Sequence, residues 1–432
     1  MKKNIYILSE YFAPFQNVGS LKFTKIAKFL SQKSDYNVFI FTRKNYPFND
    51  IFLEQDLKVI KSNGGQVFYI NEGLRYVVRN NRIKTTIKYL LMKIIGNERY
   101  YYESNQKSSK HFVKKGLKIL EKNNLPPADL ILSTYDDWGA HYLAYELKIK
   151  NKNAVWIADF RDPVGAHIKV GKYRNLCDEY SMFVSKNADY VTSVSKGCLD
   201  ELKLTCDVKK NVVTNGFDNE DYLYFKQVSK NISKSKKLKF VYTGSFYGNS
   251  LLPFFYAIRE LIDERKIMEE NIEIVYAGGY TDRVFSEIQK TSLDKVYIDK
   301  GILSRLEAVQ LQEEADVLLT AVWNNKDYQG VIGGKILTYL MLKKPIIGIV
   351  IGDAPNSEIK EIIKNINCGW CYEEANHEQD FTMLKEVILR LYESKMSGAV
   401  PYIEYNEHEL SKFNLKNITE KYINIFDSLQ KE

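Results

Sequence analysis

The chain has 432 residues, of which 45% are hydrophobic and 27% charged, and its net charge is +8. This composition excludes the disordered and fibrous classes and is typical of a globular protein. No apolar run approaches the roughly 18 residues that a membrane span needs, and the stretch Ile5–Leu8 is too short for a signal peptide. We therefore expect a cytoplasmic protein of two domains.

The positive charge is concentrated in one segment. Residues 75–122 contain 13 Lys or Arg and three acidic residues, so this segment alone carries a charge of +10. Within 79–95, apolar residues recur at helical spacing and basic residues lie mostly off that stripe. Such a helix suits either an anionic membrane surface or a domain core with solvated lysines. The segment lacks a nucleic-acid-reading motif, so we do not expect a nucleic acid partner.

The cysteines and histidines argue against disulfide and metal frameworks. Five cysteines, an odd number spread along the chain, do not suit a set of structural disulfides. Cys368 and Cys371 have the spacing of a redox or zinc-binding pair, but no second pair accompanies them, so we expect buried thiols. The five histidines are not spaced like metal ligands, and no Asp-x-Asp sequence occurs. We predict neither a metal ion nor a cofactor.

Strands and helices alternate along the chain, which predicts two doubly wound α/β domains. The predicted strands are Asn4–Ser9, Asn37–Thr42, Gln66–Ile70, Asp129–Ser133, Ala154–Asp159, Tyr190–Ser193, Leu238–Thr243, Ile272–Ala277, Val296–Ile298, Val317–Thr320 and Pro345–Val350. The predicted helices are Ser20–Leu30, Ser104–Asn124, Trp138–Lys148, Lys172–Lys186, Lys196–Leu204, Leu252–Glu264, Asp282–Lys290, Ser304–Glu314, Lys335–Leu342 and Glu407–Gln430. We assign 1–207 to an N-terminal domain, 208–405 to a C-terminal domain, and 406–432 to a helix that packs back on the N-terminal domain.

Two helix starts are candidates for binding an anion. Ser20 suits an N-cap and Gly19 allows the preceding loop to turn toward a ligand. In the stretch Gly330–Gly348, three glycines precede a helix that carries Lys335 in its first turn. Free N–H groups, the helix dipole and the lysine suit phosphate. The alternative is a plain loop with a solvated lysine, because short glycine motifs are common.

Charged residues follow two predicted strands of the first half. Asp136, Asp137 and His141 follow one strand, and Arg161 and Asp162 follow the next. Because parallel sheets bind ligands beyond the carboxyl ends of their strands, these side chains could act as a base, bind sugar hydroxyls or form a charged pair. The alternatives are a helix cap at Asp137 and a structural ion pair between Arg161 and Asp162.

Short motifs occur in a characteristic order along nearly the whole chain. They are Tyr11-Phe-Ala-Pro14 with Gly19, Trp156-Ile-Ala-Asp-Phe-Arg-Asp162, Val191-Thr-Ser-Val-Ser-Lys196, Thr214-Asn-Gly-Phe-Asp218, Tyr242-Thr-Gly-Ser-Phe-Tyr247, Ala315-Asp-Val-Leu318, and Gly334-Lys-Ile-Leu-Thr-Tyr-Leu340 with Lys344-Pro345. Together they resemble the retaining family 4 glycosyltransferases, which have the GT-B fold: two Rossmann-like domains facing a cleft.

The resemblance implies metal-independent transfer of a sugar from a nucleotide-sugar, most often UDP- or GDP-linked. It implies that the second domain binds the donor, that the first binds the acceptor, and that Lys335 with adjacent amides holds the diphosphate. The candidate catalytic residues are Asp137, His141, Arg161, Asp162 and Lys335. The candidate substrate-binding residues are Gly19, Ser20, Gly244, Ser245, Gly301, Ile302, Gly333, Gly334 and Thr338.

The expected acceptor is a lipid-linked or polysaccharide intermediate of surface glycan synthesis, reached at the inner face of the plasma membrane through the basic segment 75–122. One departure from the family concerns its two glutamates, which correspond here to Gly330 and Thr338. This departure favours an alternative, a non-catalytic scaffold that binds a nucleotide-sugar. A sugar-nucleotide epimerase on the same fold is a further alternative.

Overall fold

A computed structural model describes residues 2–15, 18–44, 49–71, 92–93, 96–136, 138–166, 168, 170–229, 235–246, 250–399 and 403–431. Asp137 and nearly all of the predicted basic helix over 79–95 lie outside the described residues. The chain divides into two compact units, one of Met1–Thr214 with Leu415–Glu432 and one of Asn215–Asn414. No helix in the described ranges is long and apolar enough to cross a membrane.

The first unit contains a seven-stranded parallel sheet within its described residues. Its strands are β1 (Lys3–Leu8), β2 (Tyr36–Arg43), β3 (Gln66–Ile70), β4 (Leu130–Tyr135), β5 (Val155–Phe160), β6 (Tyr190–Ser193) and β7 (Lys210–Val212). Their spatial order is 3-2-1-4-5-6-7, with Ile5 paired to Val38 on one side and to Leu130 on the other. The strand order therefore reverses between β1 and β4, which is where such sheets bind ligands.

The second unit repeats this topology with six parallel strands in its described residues. They are β8 (Leu238–Thr243), β9 (Ile272–Ala277), β10 (Tyr297–Asp299), β11 (Val317–Trp323), β12 (Ile346–Ile351) and β13 (Gly369–Glu373). The spatial order is 10-9-8-11-12-13, so the reversal lies between β8 and β11. Val317 pairs with Phe240 and Leu318 with Val241 across that junction.

Within the described residues, helices with both ends defined cover the sheets in both units. In chain order they are α1 (Val18–Ser31), α2 (Ile51–Ser62), α3 (Asn97–Lys122), α4 (Gly139–Lys150), α5 (Lys172–Asn187), α6 (Lys196–Asp200), α7 (Asn219–Val228), α8 (Leu252–Asp263), α9 (Thr281–Lys290), α10 (Arg305–Glu314), α11 (Lys335–Leu342), α12 (Glu358–Ile366), α13 (His377–Met396), α14 (Glu407–Ser411) and α15 (Leu415–Gln430). The C-terminal helix α15 packs on α1 within the first unit.

The cores follow the alternation of side chains along each strand. In β1, Ile5 and Ile7 join a cluster on one face with Phe23 and Tyr422, whereas Tyr6 and Leu8 join a cluster on the opposite face. A third cluster, which includes Phe240, Phe254 and Leu319, fills the second unit. Strands buried on both faces explain the nearly continuous apolar runs in the sequence.

The predicted continuous helix Glu407–Gln430 is wrong, because the chain forms two helices separated by Lys412–Asn414. The carbonyl of Phe413 accepts a hydrogen bond from the backbone N–H of Phe217 at 2.9 Å. This carbonyl is therefore bonded to a residue distant in sequence and not within a continuous helix. The prediction of buried thiols is confirmed for Cys368 and Cys371, both of which are buried and reduced.

Candidate functional site

The loop after β11 delivers the start of α11 to the carboxyl edge of the second sheet. Gly333 has a φ of +75°, and a Cβ on it would lie 3.3 Å from Val322 Cγ1 at the end of β11. Gly334 occupies the N-cap position and has no side chain with which to cap the helix. The first-turn N–H groups of α11 therefore start from a glycine pair beside the strand, as in sites that bind anions.

Lys335 is the charged group at this helix start. Its Nζ donates to Tyr242 Oη at 2.5 Å and lies 4.0 Å from the centroid of the Tyr242 ring. No carboxylate of the described residues lies within ion-pair distance of it. The side chain is half-buried, and burial lowers the pKa of its ammonium to about 7. A bound anion would favour the charged form and raise this pKa.

The loop after β8 closes on the same lysine. Gly244 has a φ of +106°, and a Cβ on it would lie 3.3 Å from Lys335 Cε. Tyr242 Oη donates to the carbonyl of Ser245 at 3.2 Å, so one phenol contacts both the lysine and the loop. Gly244, Ser245 and Lys335, which are far apart in sequence, thus meet beside the β8–β11 junction.

The other candidate substrate-binding positions of the second unit are spread over two places, the end of the edge strand β10 and the helix α11 with its preceding loop. Gly301, with a φ of +61°, and the 85% exposed Ile302 follow the edge strand β10, two strands from β8. Thr338 is half-buried in the middle of α11. Gly330 has a φ of +80°, a conformation that a glutamate would adopt only under strain.

In the first unit, Arg161 binds a carboxylate other than its sequence neighbour. The guanidinium forms an ion pair with the buried Asp136, while Asp162 is exposed. A Cβ on Gly19 would overlap the Arg161 guanidinium, so a larger residue at this position would require the guanidinium to shift. Ser20 is buried in the first turn of α1, which begins at Val18, and is therefore not the N-cap.

His141 lies within the core of the first unit. It is fully buried, and its Nδ1 hydrogen-bonds to Ser133 Oγ at 2.7 Å. The Phe160 ring lies 4.8 Å from the His141 ring, and burial lowers the histidine pKa to about 3. These surroundings keep the imidazole neutral at physiological pH.

A buried network beside Arg161 was missed by the sequence analysis. The Asp159 carboxylate accepts from Lys22 Nζ at 2.8 Å, Thr192 Oγ1 at 2.7 Å and Tyr422 Oη at 2.7 Å. Lys22 Nζ also donates to the carbonyl of Val213 at 2.8 Å. The available signal was the series Lys22, Lys25 and Lys28, which recurs every three residues along α1 and does not by itself identify the partner of any of them.

The comparisons with known proteins identify the architecture. No family model and no curated protein matches the sequence. Among solved structures, sucrose-phosphate synthase from Thermosynechococcus elongatus is similar with a TM-score of 0.62 and 12% identity, covering 99% of both chains. TarM from S. aureus, in complex with fondaparinux, α-GlcNAc-glycerol and UDP, gives 0.57 and 12%, covering 99% of this chain and 100% of TarM. The chain has the GT-B fold.

An epimerase shares this architecture as well. UDP-GlcNAc 2-epimerase from Neisseria meningitidis, bound to UDP-GlcNAc, gives a TM-score of 0.50 at 13% identity and 100% coverage of both chains. At such low identities the likenesses establish the GT-B fold and leave the chemistry to the residues.

Proposed function

We propose that this chain is a glycosyltransferase that moves a sugar from a nucleotide-sugar to an acceptor. The observation that carries the proposal is Lys335, which lies at the start of α11 beside Gly244 and has only the Tyr242 phenol as its described hydrogen-bond partner. A nucleoside diphosphate would supply the missing anion. We assign the donor to the second unit and the acceptor to the first, with UDP- and GDP-sugars as the leading donors.

The proposed chemistry needs charge stabilisation on the leaving group. As the bond to the sugar breaks, negative charge develops on the diphosphate, and the α11 amides with a protonated Lys335 would stabilise it. This arrangement supports a metal-independent reaction, and the resemblance to family 4 favours the retaining stereochemistry. In the first unit, Arg161 would shape the acceptor side, whereas the buried His141 would have a structural role.

We further propose a lipid-linked or polysaccharide acceptor in surface glycan synthesis and a peripheral position on the inner face of the plasma membrane. Helix α3 supports this with exposed lysines at Lys107, Lys110, Lys114 and Lys118, which recur every three or four residues. Residues at this spacing share one helix face, and such a face suits an anionic surface.

Thermal unfolding against UDP-, GDP-, CDP- and dTDP-sugars tests the proposal in the wild type and in Lys335→Ala. A ligand at 100 times its Kd stabilises a protein by about 2.7 kcal/mol, equivalent to a rise in Tm of about 5–11 °C for domains of this size, in which each kcal/mol raises the Tm by about 2–4 °C. We expect one nucleotide to raise the Tm of the wild type and to lose most of that effect in Lys335→Ala.

The matched control is Lys343→Asn at the opposite end of α11. Lys343 has a φ of +53° and pairs with Glu407 at 2.7 Å on the surface, and asparagine tolerates this backbone conformation. This variant should keep the full nucleotide response. A response that survives in Lys335→Ala would contradict the assignment of the site, and the absence of any response in the wild type would contradict donor binding.

The scaffold alternative is supported by Gly330 and Thr338, which stand where the family has glutamates. A scaffold would bind the nucleotide-sugar without consuming it, so donor turnover with membrane extract separates the two functions. The epimerase alternative is supported by the shared fold. An epimerase would convert the nucleotide-sugar without any acceptor, which chromatography of the protein with donor alone would detect.

A further inference from the structure

The hydrogen-bonded ladder between β8 and β11 is short. It pairs Val317 with Phe240 and Leu318 with Val241, although β8 continues to Thr243 and β11 to Trp323. Beyond these two residue pairs, the carboxyl ends of β8 and β11 are not paired with each other. This unpaired part lies where the strand order reverses. A crevice at such a junction needs something to define its width.

The Tyr339 phenol lies between these two strand ends. Its Oη donates to the carbonyl of Leu319 on β11 at 3.1 Å and accepts from the backbone N–H of Thr243 on β8 at 3.3 Å. Tyr339 is fully buried, and burial raises the pKa of its hydroxyl to about 12. A neutral phenol thus satisfies one backbone donor and one backbone acceptor that a longer ladder would have used.

Thr243 is held from a second side. Its Oγ1 accepts from Gln312 Nε2 on α10 at 2.6 Å and lies 3.3 Å from Tyr339 Oη. The end of β8 is consequently fixed to α10 and α11 through side chains. The next two residues, Gly244 and Ser245, form the loop that meets Lys335.

Lys335 and Tyr339 are four residues apart on α11, so their side chains lie on one face of the helix. Both reach the end of β8: Lys335 through Tyr242 Oη and Tyr339 through Thr243. A change in the docking of Tyr339 would therefore move the helix start and the ammonium together.

We propose that Tyr339 is a positioning residue of the anion site, because its hydroxyl bridges the ends of β8 and β11 and thereby sets where Lys335 presents its ammonium. This inference rests on the proposed function for its ligand, a nucleoside diphosphate, but not for its geometry. It assigns a role to a buried tyrosine that does not itself contact the ligand.

The test compares Tyr339→Phe with Tyr372→Phe, using UDP as the probe. Tyr372 is an equally buried tyrosine of the second unit, and its hydroxyl bonds to His377 Nδ1 at 2.8 Å away from the β8–β11 junction. Two properties are measured in each variant. They are the Kd for UDP by calorimetry and the pH dependence of Lys335 acetylation by acetic anhydride, read by mass spectrometry of the Lys335 peptide.

We expect Tyr339→Phe to raise the Kd for UDP about tenfold and to shift the pH midpoint of Lys335 acetylation, whereas Tyr372→Phe changes neither. A purely structural role would lower the Tm in both variants and leave the UDP affinity and the acetylation midpoint unchanged, which would overturn the inference. Thr243→Val, which removes the hydroxyl beside Tyr339, provides a second variant if Tyr339→Phe does not fold.

The two arms separate the inference from the function on which it rests. If the wild type does not bind UDP, donor binding fails, and the acetylation midpoint alone decides whether Tyr339 positions Lys335. If the wild type binds UDP and Tyr339→Phe binds it equally well with an unchanged midpoint, the positioning role fails and the proposed function stands.

Discussion

At the carboxyl edge of the first sheet, the described residues include three pairs of oppositely charged, largely buried side chains. The pairs are Glu10 with Arg43, Arg161 with Asp136, and Lys22 with Asp159. At the same edge of the second sheet, Lys335 hydrogen-bonds to a phenol, and none of the described carboxylates pairs with it. The two sheets have similar topologies, but their carboxyl edges differ in whether a basic side chain lacks a carboxylate partner among the described residues.

The difference indicates which edge can bind a small anion. A cation that already holds a buried carboxylate must lose that partner before it can bind another, and a buried charge left unpaired costs several kcal/mol. Lys335 has no such partner to give up among the described residues. The charge pairs at the edge of the first sheet are accordingly better suited to holding that edge rigid. The edge of the second sheet, where Lys335 lies, is better suited to binding an anion such as a diphosphate.

The largest expected effect is on the paired edge. Lys22→Met should lower the free energy of unfolding by about 3 kcal/mol, because it leaves the buried Asp159 carboxylate without its cation. Urea denaturation measures this loss. Lys33→Met is the control, since Lys33 pairs with Glu420 at the surface and should cost less than about 0.5 kcal/mol. Equal losses would mean that burial of the pair is unimportant.

A smaller loss of stability is expected from the hydroxyl of Tyr422. Tyr422→Phe removes a 2.7 Å hydrogen bond to the Asp159 carboxylate and should cost about 2 kcal/mol, since bonds to charged groups are the stronger ones. Tyr6→Phe removes a 2.6 Å bond to the neutral carbonyl of Pro126 and should cost about 1 kcal/mol. If thermal unfolding ranks the two variants in the opposite order, Asp159 does not carry the charge that we assign to it.

At the carboxyl edge of the second sheet, beside Lys335, a single added methyl group should weaken the binding of UDP. Gly244→Ala places a Cβ 3.3 Å from Lys335 Cε at a φ of +106°, so we expect the Kd for UDP to rise about tenfold, equivalent to 1.4 kcal/mol. Gly398→Ala is the matched control, because Gly398 also has a positive φ, of +83°, but has nothing within 4 Å of the added Cβ. Both variants should lose about 1 kcal/mol of stability from backbone strain, and only Gly244→Ala should bind UDP more weakly.

The smallest expected effect is a dependence of UDP binding on pH. Because burial lowers the pKa of Lys335 to about 7, the free protein loses this charge as the pH rises above 7, and binding then requires uptake of a proton. Phosphate groups with a second pKa of about 6 are fully ionised in this range. Calorimetry should therefore show the affinity for UDP falling several-fold between pH 7 and pH 8.5.

The variant Lys335→Ala supplies the control for this pH series. Its residual affinity should be independent of pH over the same range, because the titrating group has been removed. Calorimetry in buffers of different ionisation enthalpy should also show proton uptake by the wild type above pH 7 and none by the variant. A wild-type affinity that rises with pH would contradict the assignment.

Much of the fold was predictable because its signals are local. The strand Leu238–Thr243 and the helix Lys335–Leu342 were predicted at their observed bounds, since apolar runs and flanking glycines are read within a few residues. The glycine pair at Gly333 and Gly334 with the following lysine likewise predicted a helix start suited to an anion. The break in the C-terminal helix was missed because its cause, the contact of Phe413 with Phe217, joins residues that are distant in sequence.

The sequence by itself therefore determined two α/β domains and a lysine at a glycine-rich helix start. Only the tertiary structure decided the partner of each charge: Arg161 binds Asp136 rather than Asp162, and Lys22 binds Asp159, 137 residues away. The physical reason is that hydrophobic periodicity is a property of neighbouring residues, whereas an ion pair depends on which strand ends the fold brings together. Within the described ranges no carboxylate pairs with Lys335, and this too depends on which strand ends the fold brings together, so the sequence alone could not show it.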